Sequence, residues 1–551
     1  MRIGLLTEGG YPYVTGECRL WCDRLVRGLT QHEFDVYALS RSAEQEDAGW
    51  VQLPPQVERV RTAPLWAPED DGRSHGRRAR RRFAEHFGEL AGGICGGDRH
   101  RFADGLYGLA ELARERGGLH TALRSELAVR AMESACRAPG AVRAAHTATV
   151  PDFLAFADHL ERALRPLSLD WYGSDSLGAV DLCHATTGGA GALPGLLAKR
   201  FFGVPLLVTE YGVQLRAHYL AVAGSGAGGE GAAAPVRALL ARFHGLLAKE
   251  VYREAALITP GNTHARRWQE RCGADPARLR TVYPGMDADR FTEVGEGEFC
   301  GDPRTLVWVG RIEPAKDLVA LLHAFAQVRR AEPDTRLRIL AASVRGPEGP
   351  AYLAHCRALA AQLFPDEAAG AHAVGDNPVS FEEIGGPEAP ELADAYAAGA
   401  VVVLSSVVEG FPVSLVEAMF CGCATVSTDA GAVVEVIGGT GLVVPPRNPK
   451  ALADACVALL RDPERRARLG AAARARATEL FTVEQNLAAF RGIYLELLSH
   501  SCPHRDTDSP SLPFSTPAEA HVPGHWTGAR ARPSWADGAL ADAVTAGAPD
   551  A

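Results

Sequence analysis

The 551-residue sequence has no long apolar run. Its most apolar stretch, Ala395 to Val408, is about 14 residues, whereas a helix that crosses a bilayer core of about 30 Å needs about 20. The apolar run at the amino terminus stops at Glu8, which is too short for a secretory signal. These absences predict a cytoplasmic protein without membrane insertion.

Positive charge is also scarce. The chain has 57 Lys and Arg residues against 67 Asp and Glu residues, a formal net charge of −10. This balance gives no basic field that would hold nucleic acid or an anionic membrane, so we expect neither partner. Only four basic residues are lysines, at positions 199, 249, 316 and 450, so each lysine is a candidate for a specific role.

Paired cysteine motifs are missing. The 12 cysteines are scattered, and without two matching Cys-x-x-Cys pairs the sequence predicts reduced, buried thiols and no zinc site. Asp287-Ala-Asp289 superficially resembles a metal-binding acidic pair, but it follows Pro284-Gly285 in a turn. Aspartates in such a position more often cap turns or helices, so no metal is expected.

What the sequence does contain is two series of alternating strand and helix patterns. The first includes a strand at Ile3–Leu6, a glycine-containing loop and a helix at Cys18–Thr30, and the second begins with a strand at Leu306–Val309. This order predicts an α/β fold of two parallel, doubly wound sheets. Ligands bind beyond the carboxyl ends of such strands, so a cleft between the two sheets is the expected site.

The predicted domain organisation follows from these series. We expect an N-terminal domain at 1–290 with a helical insertion at about 70–165, a C-terminal domain at 291–480, a helix at 481–499 that packs back on the N-terminal domain, and a disordered tail at 500–551. The insertion contains an arginine cluster at positions 73, 77, 78 and 80–82, which is read as a solvated helix face in preference to a binding patch.

The most informative segment runs from Ser405 to Glu417. An apolar strand leads into a loop that contains Glu409, Gly410, Phe411 and Pro412, and a helix with Glu417 follows. Exposed N–H groups at a helix start suit a phosphate or a ring hydroxyl, and a carboxylate can accept two hydrogen bonds from a vicinal diol. As spacing alone, two glutamates eight residues apart are a weak signal.

A second segment, Trp308-Val-Gly310-Arg311-Ile-Glu-Pro314-Ala-Lys316-Asp317, also follows a strand. Two cations, Arg311 and Lys316, lie on one loop at a helix start, where a diphosphate could bind. An ordinary solvated surface loop explains this segment alone equally well.

Together the two segments resemble the donor-binding half of retaining glycosyltransferases of family 4, which have the GT-B fold of two Rossmann-like domains. Asp429 to Glu435 with Gly441-Leu-Val-Val-Pro-Pro resembles the next loop and strand of that family, and Tyr283-Pro-Gly285-Met-Asp287 resembles its interdomain turn. The resemblance implies that Arg311 and Lys316 hold the donor diphosphate, Glu417 binds the nucleotide ribose and Glu409 binds the transferred sugar. Gly410, Phe411 and Pro412 would line the sugar and phosphate pocket.

The N-terminal half resembles the subgroup typified by the Pel exopolysaccharide glycosyltransferase. The motifs are Glu8 to Trp21, His184-Ala-Thr-Thr-Gly, Thr209-Glu-Tyr-Gly212 and Arg267-Trp-Gln269. The resemblance implies that Gly9, Gly10 and Gly16 form the loop that faces the donor, with His184, Glu210 and Tyr211 as candidates on the acceptor side. Two positions depart from the subgroup: Glu17 replaces a glycine and Tyr211 replaces a histidine, which could lower activity or change the acceptor.

The implied reaction moves a sugar from a nucleotide diphosphate, expected to be a UDP-sugar, to a saccharide hydroxyl with retention of anomeric configuration. No covalent nucleophile is identified, although Glu409 is an alternative for that role. The resemblance implies exopolysaccharide or cell-surface glycan synthesis, a membrane polysaccharide-synthase partner and no cofactor. A catalytically weak sugar-nucleotide-binding subunit, a sugar-nucleotide epimerase or phosphorylase, and a scaffold built around the tail are the alternatives.

Overall fold

The computed structural model describes residues 1–16, 18–67, 71–216, 218–219, 233–292, 294, 301–341, 349–365, 377–387 and 389–500. The predicted tail beyond His500 and the departure at Glu17 lie outside the described residues.

The N-terminal sheet has six parallel strands in the order β3-β2-β1-β4-β5-β6. The strands are β1 (Arg2–Glu8), β2 (Glu33–Ser40), β3 (Val57–Pro64), β4 (Leu182–Ala185), β5 (Leu206–Glu210) and β6 (Leu257–Pro260). The central strands β1, β4 and β5 are almost entirely buried, as expected for a parallel sheet with both faces covered.

Helices cover this sheet and form the insertion. They are α1 (Arg19–Gly28), α2 (Ala43–Asp47), α3 (Arg77–Gly96), α4 (Arg99–Arg116), α5 (Leu119–Leu123), α6 (Glu126–Arg137), α7 (Val150–Leu164), α8 (Leu193–Phe202), α9 (Ala234–Glu254) and α10 (Thr263–Arg271). The insertion comprises α3 to α7 and shares a hydrophobic core with strands β4 and β5. Helices α3 and α4 pack so closely that a Cβ at Gly105 would overlap the backbone of Leu90.

The C-terminal sheet also has six parallel strands, in the order β12-β11-β10-β7-β8-β9. The strands are β7 (Asp302–Gly310), β8 (Arg336–Ala341), β9 (Val379–Glu383), β10 (Gly399–Leu404), β11 (Ala424–Thr428) and β12 (Leu442–Val444). The helices of this half are α11 (Leu318–Ala331), α12 (Gly349–Leu363), α13 (Leu392–Ala397), α14 (Val413–Phe420), α15 (Val433–Ile437), α16 (Pro449–Arg461) and α17 (Pro463–Leu480).

The chain crosses between the two sheets twice, and the crossings are paired. Met286 N donates to Phe481 O at 2.8 Å, and Val483 N donates to Met286 O at 3.1 Å. The final helix α18 (Val483–Ser499) then packs Phe490 and Tyr494 into the core of the N-terminal sheet. This return ties the end of the C-terminal half to the N-terminal half.

The predicted fold class, two Rossmann-like parallel sheets that face each other across a cleft, is confirmed. Thr263, which follows β6, contacts Glu435, which follows β11, so the carboxyl edges of the two sheets meet. Within the described residues, no helix is both long and apolar enough to cross a membrane.

Candidate functional site

Three loops at the carboxyl edge of the C-terminal sheet are joined into one unit. Val407 N donates to Ala315 O at 2.9 Å, which links the loop after β10 to the loop after β7. The hydroxyl of Thr428 donates to Ser406 O at 2.6 Å, which adds the loop after β11. These backbone links hold the two sequence-predicted donor segments against each other.

Lys316 and Glu409 form an ion pair at the centre of this unit. Lys316 Nζ lies 2.6 Å from Glu409 Oε2, and the hydroxyl of Ser406 donates to the same oxygen at 3.0 Å. The two charged side chains are only 13% and 10% exposed. The structure therefore brings together two residues predicted to act on one donor, although they are 93 positions apart in the sequence.

Arg311 lies on the same loop as Lys316 but is exposed to solvent. Directly after Lys316, Asp317 has a left-handed backbone (φ 48°) and caps α11 by accepting from Ala320 N at 3.2 Å. A short 3₁₀ turn, Pro314–Lys316, precedes this cap and aims the lysine at Glu409. Of the two cations, Lys316 is therefore the one held by burial and by an ion pair, whereas Arg311 extends into solvent.

Glu417 lies on α14, where Tyr396 OH donates to its Oε2 at 2.7 Å. Burial raises the pKa of Glu417 above its usual range, while the Tyr396 hydrogen bond and the charges of Arg290 and Arg24 oppose that rise. A half-buried carboxylate with one oxygen held in place is suited to accept hydrogen bonds from a diol. Tyr396, Arg290 and Arg24 were not predicted, because each comes from an element distant in sequence.

The Gly410-Phe411-Pro412 segment divides between two environments. A Cβ at Gly410 would meet open space, and Pro412 directly precedes helix α14. The ring of Phe411 instead packs against Phe481, with ring centroids 5.7 Å apart, at the crossing between the two sheets. Phe411 therefore also supports the paired crossing segments, in addition to its predicted place beside the pocket.

The glycine loop after β1 is tightly folded. Gly9 and Gly16 have left-handed backbones, with φ of 66° and 126°. A Cβ at Gly16 would overlap the carbonyl oxygen of Gly9, so the two ends of the loop approach each other as closely as backbones permit. Gly10 lies between them, where an added Cβ would make only ordinary contacts with Cys18. The loop lies at the edge of the N-terminal sheet that faces the cleft.

A polar cluster beside this loop was missed. Glu8, whose side chain is 7% exposed, accepts from Arg41 Nη2 at 3.0 Å and from Gly191 N at 2.9 Å. Gln214 Nε2 lies 3.4 Å from Glu8 Oε1. The signal was available in the sequence, because Glu8 ends a buried strand and Arg41 follows the next one, so both fall at the carboxyl edge.

His184 does not reach the cleft. Its ring is fully buried, with Nδ1 2.7 Å from Tyr494 OH and Nε2 2.6 Å from Thr209 Oγ1. Burial lowers the pKa of His184 to about 3. Among Trp21, Phe490 and Tyr494, the imidazole serves as a neutral bridge between β4 and α18 and not as a surface for an acceptor.

Glu210 and Tyr211 are likewise engaged inside the protein. Glu210 is 1% exposed and accepts from Tyr252 OH at 2.5 Å and from Gln214 N at 2.8 Å; burial raises its pKa, and these hydrogen bonds oppose the rise. The hydroxyl of Tyr211 accepts from Asn486 Nδ2 at 3.0 Å, and its ring packs edge-on against Trp21. Both residues therefore support the loop after β5 from inside the protein.

One direct link joins the two halves beside the cleft. Glu435 Oε2 accepts from the backbone N of Thr263 at 2.7 Å and from its hydroxyl at 2.6 Å, while Glu435 Oε1 accepts from Tyr283 OH at 2.9 Å. The carboxylate thus lies at the positive end of α10, where an anion is stabilised. We call this set, Glu435 with Thr263 and Tyr283, the interdomain clasp.

No cluster of three or more His, Cys, Asp or Glu side chains suited to a metal ion occurs in the part of the chain that the structure describes. Asp289 begins a short 3₁₀ helix, Asp289–Phe291, next to the first crossing between the sheets.

Two known protein families match this chain, one over the half that contains the N-terminal sheet and one over the half that contains the C-terminal sheet. A family model described as "Domain of unknown function (DUF3492)" matches residues 1–277. A model described as "Glycosyl transferases group 1" matches residues 303–462, which include the Lys316–Glu409 pair and Glu417.

Curated relatives point to the same group. The chain is 32% identical over 262 residues to D-inositol 3-phosphate glycosyltransferase of Kribbella flavida, a match that covers 45% of this chain and 59% of that protein. It is 35% identical over 219 residues to the protein of that name from Frankia alni, covering 37% and 50%. The chain therefore spans about half the length of the curated relatives it matches.

Solved structures share the architecture. Sucrose-phosphate synthase from Thermosynechococcus elongatus superposes with a TM-score of 0.54 at 18% identity, covering 91% of this chain and 100% of that one. Anabaena Alr3699/HepE, solved in complex with UDP, superposes with a TM-score of 0.53 at 15% identity, covering 90% and 100%. At this identity the likeness shows the shared fold.

Proposed function

Because the chain belongs to the family described as "Domain of unknown function (DUF3492)" and its second half matches the group 1 glycosyl transferases, we propose that it is a nucleotide-sugar-dependent glycosyltransferase. The observation that carries the proposal is the joined loop unit at the carboxyl edge of the second sheet, where Lys316 and Glu409 lie on neighbouring loops and Glu417 lies on the helix that follows. A cation, a sugar-binding carboxylate and a diol-binding carboxylate are what such a donor requires.

Each of these residues has a role that its surroundings support. Lys316 stabilises the negative charge that develops on the leaving diphosphate, and Arg311 adds a second cation from the same loop. One such donor in a desolvated site is worth about 2.7–4 kcal/mol of transition-state stabilisation. Glu417 binds the ribose, and Glu409 binds hydroxyls of the transferred sugar while it orients Lys316.

We also propose that Glu409 is not a covalent nucleophile. Its Oε2 is already engaged by Lys316 and Ser406, so this oxygen is held by hydrogen bonds and is not free to attack the anomeric carbon. The sugar would therefore transfer with retention of configuration without an enzyme-bound sugar. The protein's own cations supply the charge stabilisation in this scheme, so it assigns no metal.

We propose that the acceptor binds on the opposite side of the cleft, beside the Glu8–Arg41 pair, while the glycine loop between β1 and α1 faces the donor. Gly9, Gly10 and Gly16 keep the loop thin enough for a diphosphate to approach its backbone, and Glu8 holds Arg41 over Gly9. His184, Glu210 and Tyr211 support this surface from within.

The finer assignments rest on the resemblance. We propose a UDP-sugar donor, which the UDP complex of the superposable Anabaena protein favours, and a saccharide acceptor. A Pel-type role in exopolysaccharide or cell-surface glycan synthesis, a cytoplasmic location and a membrane polysaccharide-synthase partner remain part of this proposal. The phosphorylated inositol in the names of the curated relatives is the acceptor to test alongside saccharides.

The test is release of nucleotide diphosphate from a panel of sugar nucleotides by the full chain. We expect release from one donor, reduced at least 100-fold in Lys316→Ala and in Glu417→Ala. Two exposed residues of the same half provide matched controls, Lys450→Ala and Glu464→Ala, which should retain wild-type release. Equal losses in the control variants, or release that survives Lys316→Ala, would contradict the assigned site.

The second candidate is a sugar-nucleotide-binding subunit with little catalysis. Its motivation is Tyr211, which is held by Asn486 and Trp21 inside the protein where the subgroup has a histidine. Calorimetric binding of a sugar nucleotide that Glu417→Ala abolishes, with no release in the presence of any acceptor of the panel, would favour this candidate.

A further inference from the structure

The arginine cluster of the insertion lies at the start of helix α3, and that helix end is unusual. Gly76 occupies the N-cap position and provides no side-chain cap, and the first turn contains no acidic residue. The helix has 20 residues, so its amino terminus bears the full positive end of a helix dipole. Arg77, Arg78 and Arg80 add positive charge where a negative charge would be stabilising.

A cavity of about 520 Å³ opens at this helix end. We call it the insertion groove; it is lined by residues 74–79 with Arg82, Glu115 and Arg116. Four arginines of the lining face a single carboxylate, Glu115, which pairs with Arg82 at 2.6 Å. Arg78 and Arg116 also face this carboxylate, and the lining keeps an excess of three positive charges for a ligand.

His75 gives an independent indication of a ligand in the insertion groove. The residue is 8% exposed, and its Nε2 lies 2.9 Å from Gly117 O, so that nitrogen bears a proton and donates. The other ring nitrogen, Nδ1, is buried without a hydrogen-bond partner. With the proton on Nε2, Nδ1 is an acceptor, and a buried acceptor of this kind normally has a donor, which a ligand hydroxyl would supply.

The groove continues past His75 into a second cavity of about 300 Å³. Its lining has one arginine, Arg80, and one carboxylate, Glu126, and adds the hydroxyls of Ser74, Thr121 and Ser125 beside the ring of Phe83. An arginine-rich end joined to a hydroxyl-lined, partly apolar end matches a ligand with an anionic head and a hydroxylated body.

We propose that the insertion groove binds a small phosphomonoester of the sugar-phosphate class, at a site separate from the interdomain cleft. The phosphate accepts from the N–H groups at the start of α3 and from Arg78 and Arg116, while a hydroxyl of the sugar donates to His75 Nδ1. The sugar lies along Ser74 and Thr121. The proposal does not depend on the transferase activity of the cleft.

The experiment titrates the full chain with inorganic phosphate and with glucose 6-phosphate by calorimetry at low ionic strength. We expect both to bind, glucose 6-phosphate more tightly, and binding to persist in Lys316→Ala, which alters the cleft. Arg78→Gln/Arg116→Gln should weaken binding at least tenfold. The matched control Arg81→Gln/Arg162→Gln removes the same charge from exposed insertion positions outside the groove and should change affinity less than twofold.

Thermal melting of the same variants separates binding from misfolding. Without ligand, Arg78→Gln/Arg116→Gln should melt close to wild type, because the repulsion removed at the start of α3 offsets the favourable charge lost at the end of α4. With glucose 6-phosphate, only wild type and the control should gain stability. If wild type does not bind, or if the control variant is weakened equally, the arginine cluster is only a solvated helix face and the proposal is overturned.

Discussion

At the scale of single residues, the choice of lysine at position 316 is informative in a chain whose basic residues are almost all arginine. Its ammonium group is buried against Glu409 at 2.6 Å, in a space shaped by the backbone of two loops. An ammonium is a compact point charge, whereas a guanidinium is a wide planar fork. Pairing at this position therefore depends on size as well as charge.

We accordingly predict that Lys316→Arg keeps the charge but loses function. Donor-dependent release of nucleotide diphosphate should fall at least tenfold, since the larger group displaces Glu409 or the diphosphate. Lys450→Arg, at an exposed position, is the matched control and should be silent. Steady-state release by the two variants measures the effect, and full activity of Lys316→Arg would show that charge alone suffices.

His184 predicts a pH dependence of stability. Its pKa is about 3 in the folded protein and about 6.5 when unfolded, because burial opposes the charged form. Between these values the unfolded chain binds the extra proton, so stability is full above about pH 6.5 and is lost as the pH falls toward 3, by up to about 1.4 kcal/mol per pH unit.

The measurement is urea unfolding at several pH values for wild type and His184→Gln. His32 and His244 have lowered pKa values for the same reason and contribute in the same direction, so the difference between the two slopes isolates His184. The variant should show a shallower acid loss even if it is less stable overall. Parallel slopes between pH 4 and 6 would contradict a neutral, buried imidazole.

At the scale of elements, the sequence pattern predicted central strands better than edge strands. The predicted strands Ile3–Leu6 and Leu306–Val309 fall within β1 and β7, whose buried positions are mostly apolar. The edge strands β3 and β9 were missed. Both contain charged residues and are partly exposed, because an edge strand has fewer neighbours to bury it.

Substitutions at two glycines of the C-terminal half can test how tightly the loops after β7, β10 and β11 pack against each other. Gly431 and Gly439 both have left-handed backbones, with φ of 60° and 89°. A Cβ at Gly431 would overlap the carbonyl oxygen of Glu409, whereas one at Gly439 would meet nothing within 4 Å. Alanine at either position costs about 1 kcal/mol in backbone strain, but only Gly431→Ala pushes the donor loops apart.

We therefore predict that Gly431→Ala raises the donor KM or lowers release several-fold, while Gly439→Ala loses comparable stability without a change in activity. Thermal melting and donor-dependent release, measured on both variants, separate the strain from the loop displacement. Similar activity in the two variants would mean that the loop after β11 does not position Glu409.

At the scale of the whole molecule, the local sequence pattern predicted where the loops after β7 and β10 lie in the chain. It did not predict the contacts between the two halves. Arg311, Lys316 and Glu409 lie on strand-to-helix turns, and Glu417 lies on the helix after the second turn, which the sequence pattern alone predicts. His184 was misjudged as an acceptor-side residue because its partner Tyr494 lies 310 positions away. The Glu435–Thr263 contact spans 172 positions, and no local periodicity reports such a pairing.

The interdomain clasp leads to the last prediction. Glu435 accepts two hydrogen bonds from Thr263 at the start of α10 and one from Tyr283 on the crossing segment, so it favours a closed cleft. These contacts are partly exposed, and we expect Glu435→Ala to cost about 1–2 kcal/mol of closure, or roughly tenfold in the ratio of closed to open molecules.

Energy transfer between dyes on unnatural amino acids at positions 130 and 454 would report this ratio, since both positions are exposed and lie on opposite halves. Glu435→Ala should broaden the distance distribution toward longer values and lower the kcat/KM for the donor, while Glu479→Ala, an exposed glutamate of α17, should do neither. The halves are joined through α18 and the paired crossings in any case, so the variant should remain folded. An unchanged distance distribution would assign closure to α18 and the crossing segments, and leave the clasp as a local cap of α10.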